Sequence, residues 1–142
     1  LETLAIRMTR YAEQGQRIAK YLTESPTVEA VSYPGLSSDK YYPLAKKYLG
    51  GKASGVVTFI IRGGRKNAVQ FMDNLHLISN EVHVADIRTC VLHPASETHR
   101  QLTDEQLLAA GIHPGMIRLS VGLEHIEDIL TDLEQAFSGL TK

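Results

Sequence analysis

The stretch Met116-Ile117-Arg118-Leu119-Ser120-Val121 constrains the fold of this chain more than any other. It alternates with the period of a strand, so Ile117, Leu119 and Val121 face one way and Met116, Arg118 and Ser120 the other. His113-Pro114-Gly115 turns the chain into it, and Gly122 ends it ahead of an amphipathic helix. An arginine therefore stands mid-strand, on the face opposite an aliphatic row. Its guanidinium is permanently charged and presents a planar fork of donors. Buried without a partner, such a charge costs several kcal/mol. Neither Met116 nor Ser120, two positions away on the same face, is acidic. The partner is either a distant acid of the same chain or a carboxylate that arrives as ligand. The remaining alternative is a half-exposed arginine on an edge strand.

Around that strand, helix and strand patterns alternate. Leu1, Leu4, Met8, Tyr11, Ile18 and Leu22 share a stripe, which predicts a helix from about Glu2 to Thr23, stopped by Ser25-Pro26. The periodicity runs from the first residue with no capping sequence before it, so the expectation is a helix continued from a longer chain. Val28 to Tyr33 reads as a short strand closed by Pro34-Gly35. A helix from about Tyr41 to Leu49 follows, with Pro43 in its first turn and Gly50-Gly51 behind it. Val56 to Ile61 is an almost continuous apolar run, the pattern of a strand buried on both faces in the middle of a sheet. Arg62-Gly63-Gly64-Arg65 turns into a helix reaching about Leu75, with Ala68, Phe71, Met72 and Leu75 inward. Val82 and Val84 alternate, Asp86-Ile87-Arg88 reads as a bend, and Thr89 to Leu92 as a strand. Thr103-Asp104-Glu105-Gln106 is a capping box for a short helix ending at Gly111. Ile126, Ile129, Leu130, Leu133 and Phe137 place the last helix over about Glu124 to Ser138. The expected fold class is α/β: a sheet of four or five strands with helices mainly on one face.

At 142 residues and 43% hydrophobic content, the chain is one domain with a core of its own. A net charge of −1 removes the electrostatic case for nucleic acid or an anionic membrane as partner. No apolar run approaches the ~20 residues of a membrane span. Cys90, the single cysteine, cannot close an internal disulfide, so the expected compartment is the cytoplasm.

Several residues invite a chemical reading. Gly63-Gly64 ahead of a helix suggests a phosphate cradle, but the full nucleotide motif is absent and a plain turn is the better reading. His83, Cys90, His93, His99 and His113 are the soft ligand candidates, and none stands at a finger-like spacing, so no metal is expected. Cys90 lies within a strand pattern and reads as a small buried residue rather than a nucleophile. Thr98-His99 reads as a pair that holds its own loop. The lysines (Lys20, Lys40, Lys46, Lys47, Lys52, Lys66 and Lys142) all fall on polar helix faces, in turns or in the tail. None lies where burial would depress its pKa as an amine nucleophile requires, so no Schiff-base lysine and no catalytic residue are expected in this stretch.

Leu1-Glu2-Thr3-Leu4 with Arg7-Met8, Asp86-Ile87-Arg88-Thr89, His93-Pro94-Ala95-Ser96 with Thr98-His99, and Ile117 through Ile126 together resemble the C-terminal part of the Cys/Met-metabolism enzymes that depend on pyridoxal phosphate. Val84 to Thr89 is most similar to the O-acetylhomoserine sulfhydrylase (homocysteine synthase) branch of that family. His83, Cys90 and Asn80-Glu81 depart from the branch. The resemblance implies a fold-type-I, aminotransferase-like architecture in which residues 1–25 are part of the long helix joining two domains. Residues 26–142 would be the small C-terminal substrate-binding domain, and the large cofactor-binding domain would be absent. It implies that Arg118 grips the substrate α-carboxylate and that Thr89 lines the same pocket. It implies pyridoxal 5'-phosphate in the full-length enzyme, not bound to this stretch, and a homo-oligomer when complete. The implied reaction is replacement of the γ-acetoxy group of O-acetyl-L-homoserine by sulfide, giving homocysteine and acetate. Cystathionine γ-synthase or methionine γ-lyase chemistry, or a non-catalytic amino-acid-binding or assembly module, are the alternatives.

Overall fold

The computed structural model describes residues 1–140. Its elements are α1 (Leu4–Glu24), β1 (Val28–Ser32), α2 (Tyr42–Tyr48), β2 (Val56–Ile61), α3 (Gly64–Asp73), β3 (Ser79–Asn80), β4 (Cys90–Leu92), α4 (Asp104–Ala109), β5 (Met116–Ser120) and α5 (Ile126–Ser138). The five strands form one sheet in the order β1-β2-β5-β4-β3. β5 runs antiparallel to β2 on one side and to β4 on the other, while β3 pairs with β4 in parallel. The arginine strand is thus the central strand, which removes the edge-strand reading of Arg118. Its cross-strand neighbours are Thr58 of β2 and Leu92 of β4.

One face of the sheet makes the core. Val57, Phe59, Ile61, Val91, Ile117 and Leu119 are buried there with Ile18 and Leu22 of α1, Ala68 and Phe71 of α3, and Ile129, Leu133 and Phe137 of α5. Phe59 meets Phe71 and Phe137 edge-on at 5.9 and 6.2 Å between ring centres, and Phe71 stacks on Phe137 at 4.8 Å. Such pairs add about 0.5–1.5 kcal/mol each beyond the area they bury. On the opposite face Cys90, Leu92 and Ser120 are buried, while Met116 and Arg118 are half-buried.

The structure departs from the sequence pattern in three places. β2 lies second in the sheet, and Val56 and Ile60 are only half-buried, so the apolar run is fully covered on its helix side alone. The alternation at Val82 and Val84 is not a strand: β3 is confined to Ser79–Asn80, and the chain then leaves the sheet with both valines exposed. The stripe of α1 buries Tyr11, Ile18 and Leu22, but Leu1, Leu4 and Met8 are exposed, because the first turns of the helix extend past what the sheet covers. The capping box forms as expected, with Thr103 accepting from the Gln106 amide at 3.3 Å and the Gln106 side chain accepting from the Thr103 amide at 2.9 Å. No helix among the described residues is long and apolar enough to cross a membrane.

One buried carboxylate ties the last helix to the loop that leads into β3. Asp132 of α5 accepts from the amides of His76, Leu77 and Ile78 at 2.9, 3.0 and 2.9 Å, and from the Gln135 side chain at 3.0 Å. Burial alone would raise its pKa, but the three amides and Gln135 outweigh it and hold the group below the ordinary aspartate range. The folded-state pKa is depressed, so this contribution is present above the unfolded aspartate value and is lost as pH falls through the folded one. Asp132→Asn turns an amide NH2 toward backbone donors. It should cost about 2–3 kcal/mol in urea unfolding near neutral pH, with the gap to wild type closing as the buffer is acidified. An equal loss at every pH would assign the effect to packing instead.

Candidate functional site

Arg118 is the only charged residue of β5. Its strand face is set by Ile117 and Leu119, both fully buried on the helix side, so the guanidinium must emerge on the other. There its Nη2 donates to the carbonyl of Val82 at 2.7 Å and to that of His83 at 3.5 Å. Nε is buried and without a partner. Among the described residues Arg118 makes no ion pair; the acids of the chain are paired elsewhere or stand apart from it. The internal-acid alternative is therefore not realised. A half-buried cation whose fork is oriented by carbonyl oxygens, with no carboxylate partner among the described residues, has the donor set for an incoming carboxylate.

The carbonyls belong to residues 81–89, which are neither helix nor strand. Glu81 enters by donating its amide to Val91 at 3.0 Å. Ala85 stands at φ +58, a left-handed conformation that costs a residue with a Cβ about 1 kcal/mol. Its amide donates to the Ser120 hydroxyl at 3.0 Å, and the Tyr11 hydroxyl donates to the carbonyls of Ala85 and Asp86 at 3.2 and 3.1 Å. The segment leaves through Leu123, whose amide donates to the Ile87 carbonyl at 2.8 Å. On its outer side His83 Nδ1 lies 2.8 Å from Glu81, which Arg88 also meets at 3.1 Å.

Thr89, at the head of β4, is fully buried. Its amide and hydroxyl donate to the two oxygens of Glu124 at 2.6 and 2.8 Å, and its hydroxyl accepts from the Gly122 amide at 2.9 Å. A Cβ on Gly122 would run into the backbone of Arg88 and Thr89, which is why only glycine suits that position. Glu124 precedes α5, whose N-cap is His125. Sequence patterning put Glu124 in the first helical turn and missed its part in this clamp, and no local signal marks it.

The other candidates do not join this group. His93 is buried, and its Nε2 lies 2.8 Å from the Pro114 carbonyl; because a carbonyl only accepts, Nε2 carries the proton and the Nδ1 lone pair is left buried without a partner. Burial pushes its pKa below the ordinary histidine value, although the Pro114 bond opposes this. Thr98 and His99 bond to each other at 2.9 Å within their own loop. Cys90 is buried, and burial followed by the nearby Glu81 and Asp86 charges raises its thiol pKa, the opposite of what a nucleophile needs. Gly63 and Gly64 have φ of +88 and +65 and form a turn into α3. No group of metal-ligating side chains occurs among the described residues. Lys20, Lys40, Lys46, Lys47, Lys52 and Lys66 are all exposed, and Lys142 lies outside the described residues.

Residues 1–138 match the family model for Cys/Met metabolism PLP-dependent enzymes. An O-acetyl-L-homoserine sulfhydrylase of Leptospira meyeri is 45% identical over 99% of this chain and 32% of its own length. A homocysteine synthase of Schizosaccharomyces pombe is 44% identical over 96% of this chain and 32% of its own. Among solved structures, a putative O-acetylhomoserine (thiol)-lyase of Campylobacter jejuni, crystallised with an N'-pyridoxyl-lysine-5'-monophosphate, superposes with a TM-score of 0.89 at 37% identity. The match covers 97% of this chain and 33% of that one. The chain spans about a third of the length of these relatives, and it belongs to the Cys/Met-metabolism family of pyridoxal-phosphate-dependent enzymes.

Proposed function

We propose that this chain is the small C-terminal domain of an O-acetylhomoserine sulfhydrylase and that its task is to hold the substrate by the α-carboxylate. Residues 1–25 would be part of the helix joining the two domains, and residues 26–142 the substrate-binding domain. The observation that carries the reading is the state of Arg118. It is half-buried on the central strand, aimed by two backbone carbonyls, and paired with no acid of the described residues. An amino-acid carboxylate completes that donor set and fixes both the position and the orientation of the substrate. Thr89 is fully buried, so its part would be to brace the site from behind rather than to line it. With its hydroxyl committed to Glu124 and Gly122, it locks the turn at residues 86–88 beside the anchor.

Pyridoxal phosphate is the cofactor of the family, and when bound it supplies the electron sink for loss of the γ-substituent. The described residues do not fit a cofactor cradle. Their lysines are exposed, and the glycine turn before α3 is closed on itself by the Asn67 side chain, which donates to the Arg62 carbonyl at 2.9 Å. This chain's residues therefore bind and orient; the chemistry at the γ-carbon belongs to a part of the protein outside it.

In the full-length enzyme, Arg118→Lys should raise KM for O-acetyl-L-homoserine by one to two orders of magnitude while leaving cofactor binding intact, because an ammonium cannot reproduce the planar fork. Unchanged kinetics would remove Arg118 from the site. Purified by itself and mixed with pyridoxal phosphate, the chain should acquire no stoichiometric visible absorbance. A yellow complex that survives gel filtration would contradict the division of labour proposed here.

A further inference from the structure

We infer that Tyr11 and Ser120 are positioning residues for the carboxylate anchor, acting through the backbone at residues 82–86; the inference rests on the role proposed for Arg118. An arginine side chain is long and loses its aim unless something orients it. Here the orientation comes from the carbonyls of Val82 and His83. Those carbonyls sit on a segment with no regular structure, and its side chains do not anchor it to the rest of the fold: Val82, Val84 and Ile87 are 57%, 53% and 63% exposed, and Glu81, His83, Asp86 and Arg88 pair with one another within the segment. What fixes the segment is hydrogen bonding to its backbone. In its middle, both bonds converge on Ala85, the residue in the left-handed conformation. Ser120 accepts the Ala85 amide, and Tyr11 donates to the Ala85 carbonyl and to the next one.

The geometry is economical. Ser120 and Arg118 stand two residues apart on the same strand face, so one strand grips the segment at Ala85 and uses it at Val82 and His83. Tyr11, 2% exposed on α1, grips from the other side and ties the anchor to the helix. Without either bond, Ala85 can relax toward a common backbone conformation, and the two carbonyls swing away from Nη2. Neither side chain has a hydrogen bond to the guanidinium, so the effect is indirect and specific to recognition of the carboxylate.

The test uses the full-length enzyme and compares O-acetyl-L-homoserine with its α-carboxamide, the ratio of kcat/KM values measuring carboxylate recognition. Ser120→Ala and Tyr11→Phe are each expected to reduce that ratio about 5- to 20-fold, through KM for the acid, with kcat changed less than about twofold. Ser120→Thr, which keeps the hydroxyl, should restore the ratio. Hydrogen exchange at residues 81–88 should quicken in both hydroxyl-deletion variants while the β2–β5 ladder stays protected. A purely structural lesion would slow the acid and the amide alike and would overturn the inference. So would an unchanged ratio in both variants while Arg118→Lys abolishes it. If Arg118→Lys itself leaves the ratio intact, the parent reading of Arg118 is what has failed. Should Ser120→Ala not fold, Tyr11→Phe, which keeps the ring and its packing, decides the matter alone.

Discussion

The antiparallel pairing of β5 with a strand on each side is the constraint from which the site follows. A central strand has its backbone donors and acceptors committed to both neighbours, so it cannot shift without breaking two ladders. The side-chain period then leaves no choice of face. Ile117 and Leu119 lie on the side of the Phe59, Phe71 and Phe137 cluster, and a slip of one residue would drive the Arg118 guanidinium into that cluster. The cost of burying a charge among phenyl rings far exceeds any hydrogen bond gained by slipping. The hydrophobic core on one face thus dictates the direction of the charge on the other.

The opposite face is built by different means. β3 is two residues long, and the chain that follows it crosses above the sheet instead of extending it. Such a crossing carries backbone groups that need partners, and the sheet and α1 supply them through Ser120, Tyr11 and Arg118 itself. A few bonds of about 1 kcal/mol each suffice to outweigh the strain at Ala85. Below this crossing the Thr89, Gly122 and Glu124 contacts close the ends of the segment onto the start of β4 and the approach to α5. Arg118 thus faces a backbone whose geometry is specified at both ends and in the middle.

What the sequence makes legible follows from what is local. β2 and β5, the buried stripe of α5, the part of the α1 stripe from Tyr11 onward, and the Thr103 capping box depend on periods of a few residues, and each is found close to where the pattern puts it. Arg118 stands out for the same reason, as a charge in a strand period. Its central place in the sheet does not, because strand order is decided by pairings between distant segments. Residues 81–88 mislead for a related reason. Val82 and Val84 alternate as a strand would, but the backbone next to them, at Ala85 and Asp86, is held by Tyr11 and Ser120, far away in the chain, and those bonds override the local preference. Asp132 and Glu124 escape notice too: each reads as polar-face helix residue or helix start, and each instead accepts bonds from an element that only the folded chain brings near.

Orientation alone does not make a strong anchor. An exposed arginine–carboxylate pair contributes about 0–1 kcal/mol, because water competes for both partners and salt screens them. To reach the ~1.5–3 kcal/mol of a well-made charge-assisted bond, the site needs a fork already aimed and a local environment with less water. This chain provides the first through the Val82 and His83 carbonyls. It provides little of the second, since Val82, His83 and Val84 are themselves exposed beside the anchor. Aliphatic side chains on a segment so firmly held are suited to meet another apolar surface. On the reading proposed above, that surface belongs to the part of the protein that carries the cofactor. Closing it over the valines would dry the guanidinium and the substrate carboxylate in one step. On that reading aim and desolvation would reside on different parts of the polypeptide, and the anchor would reach full strength only with both around the substrate.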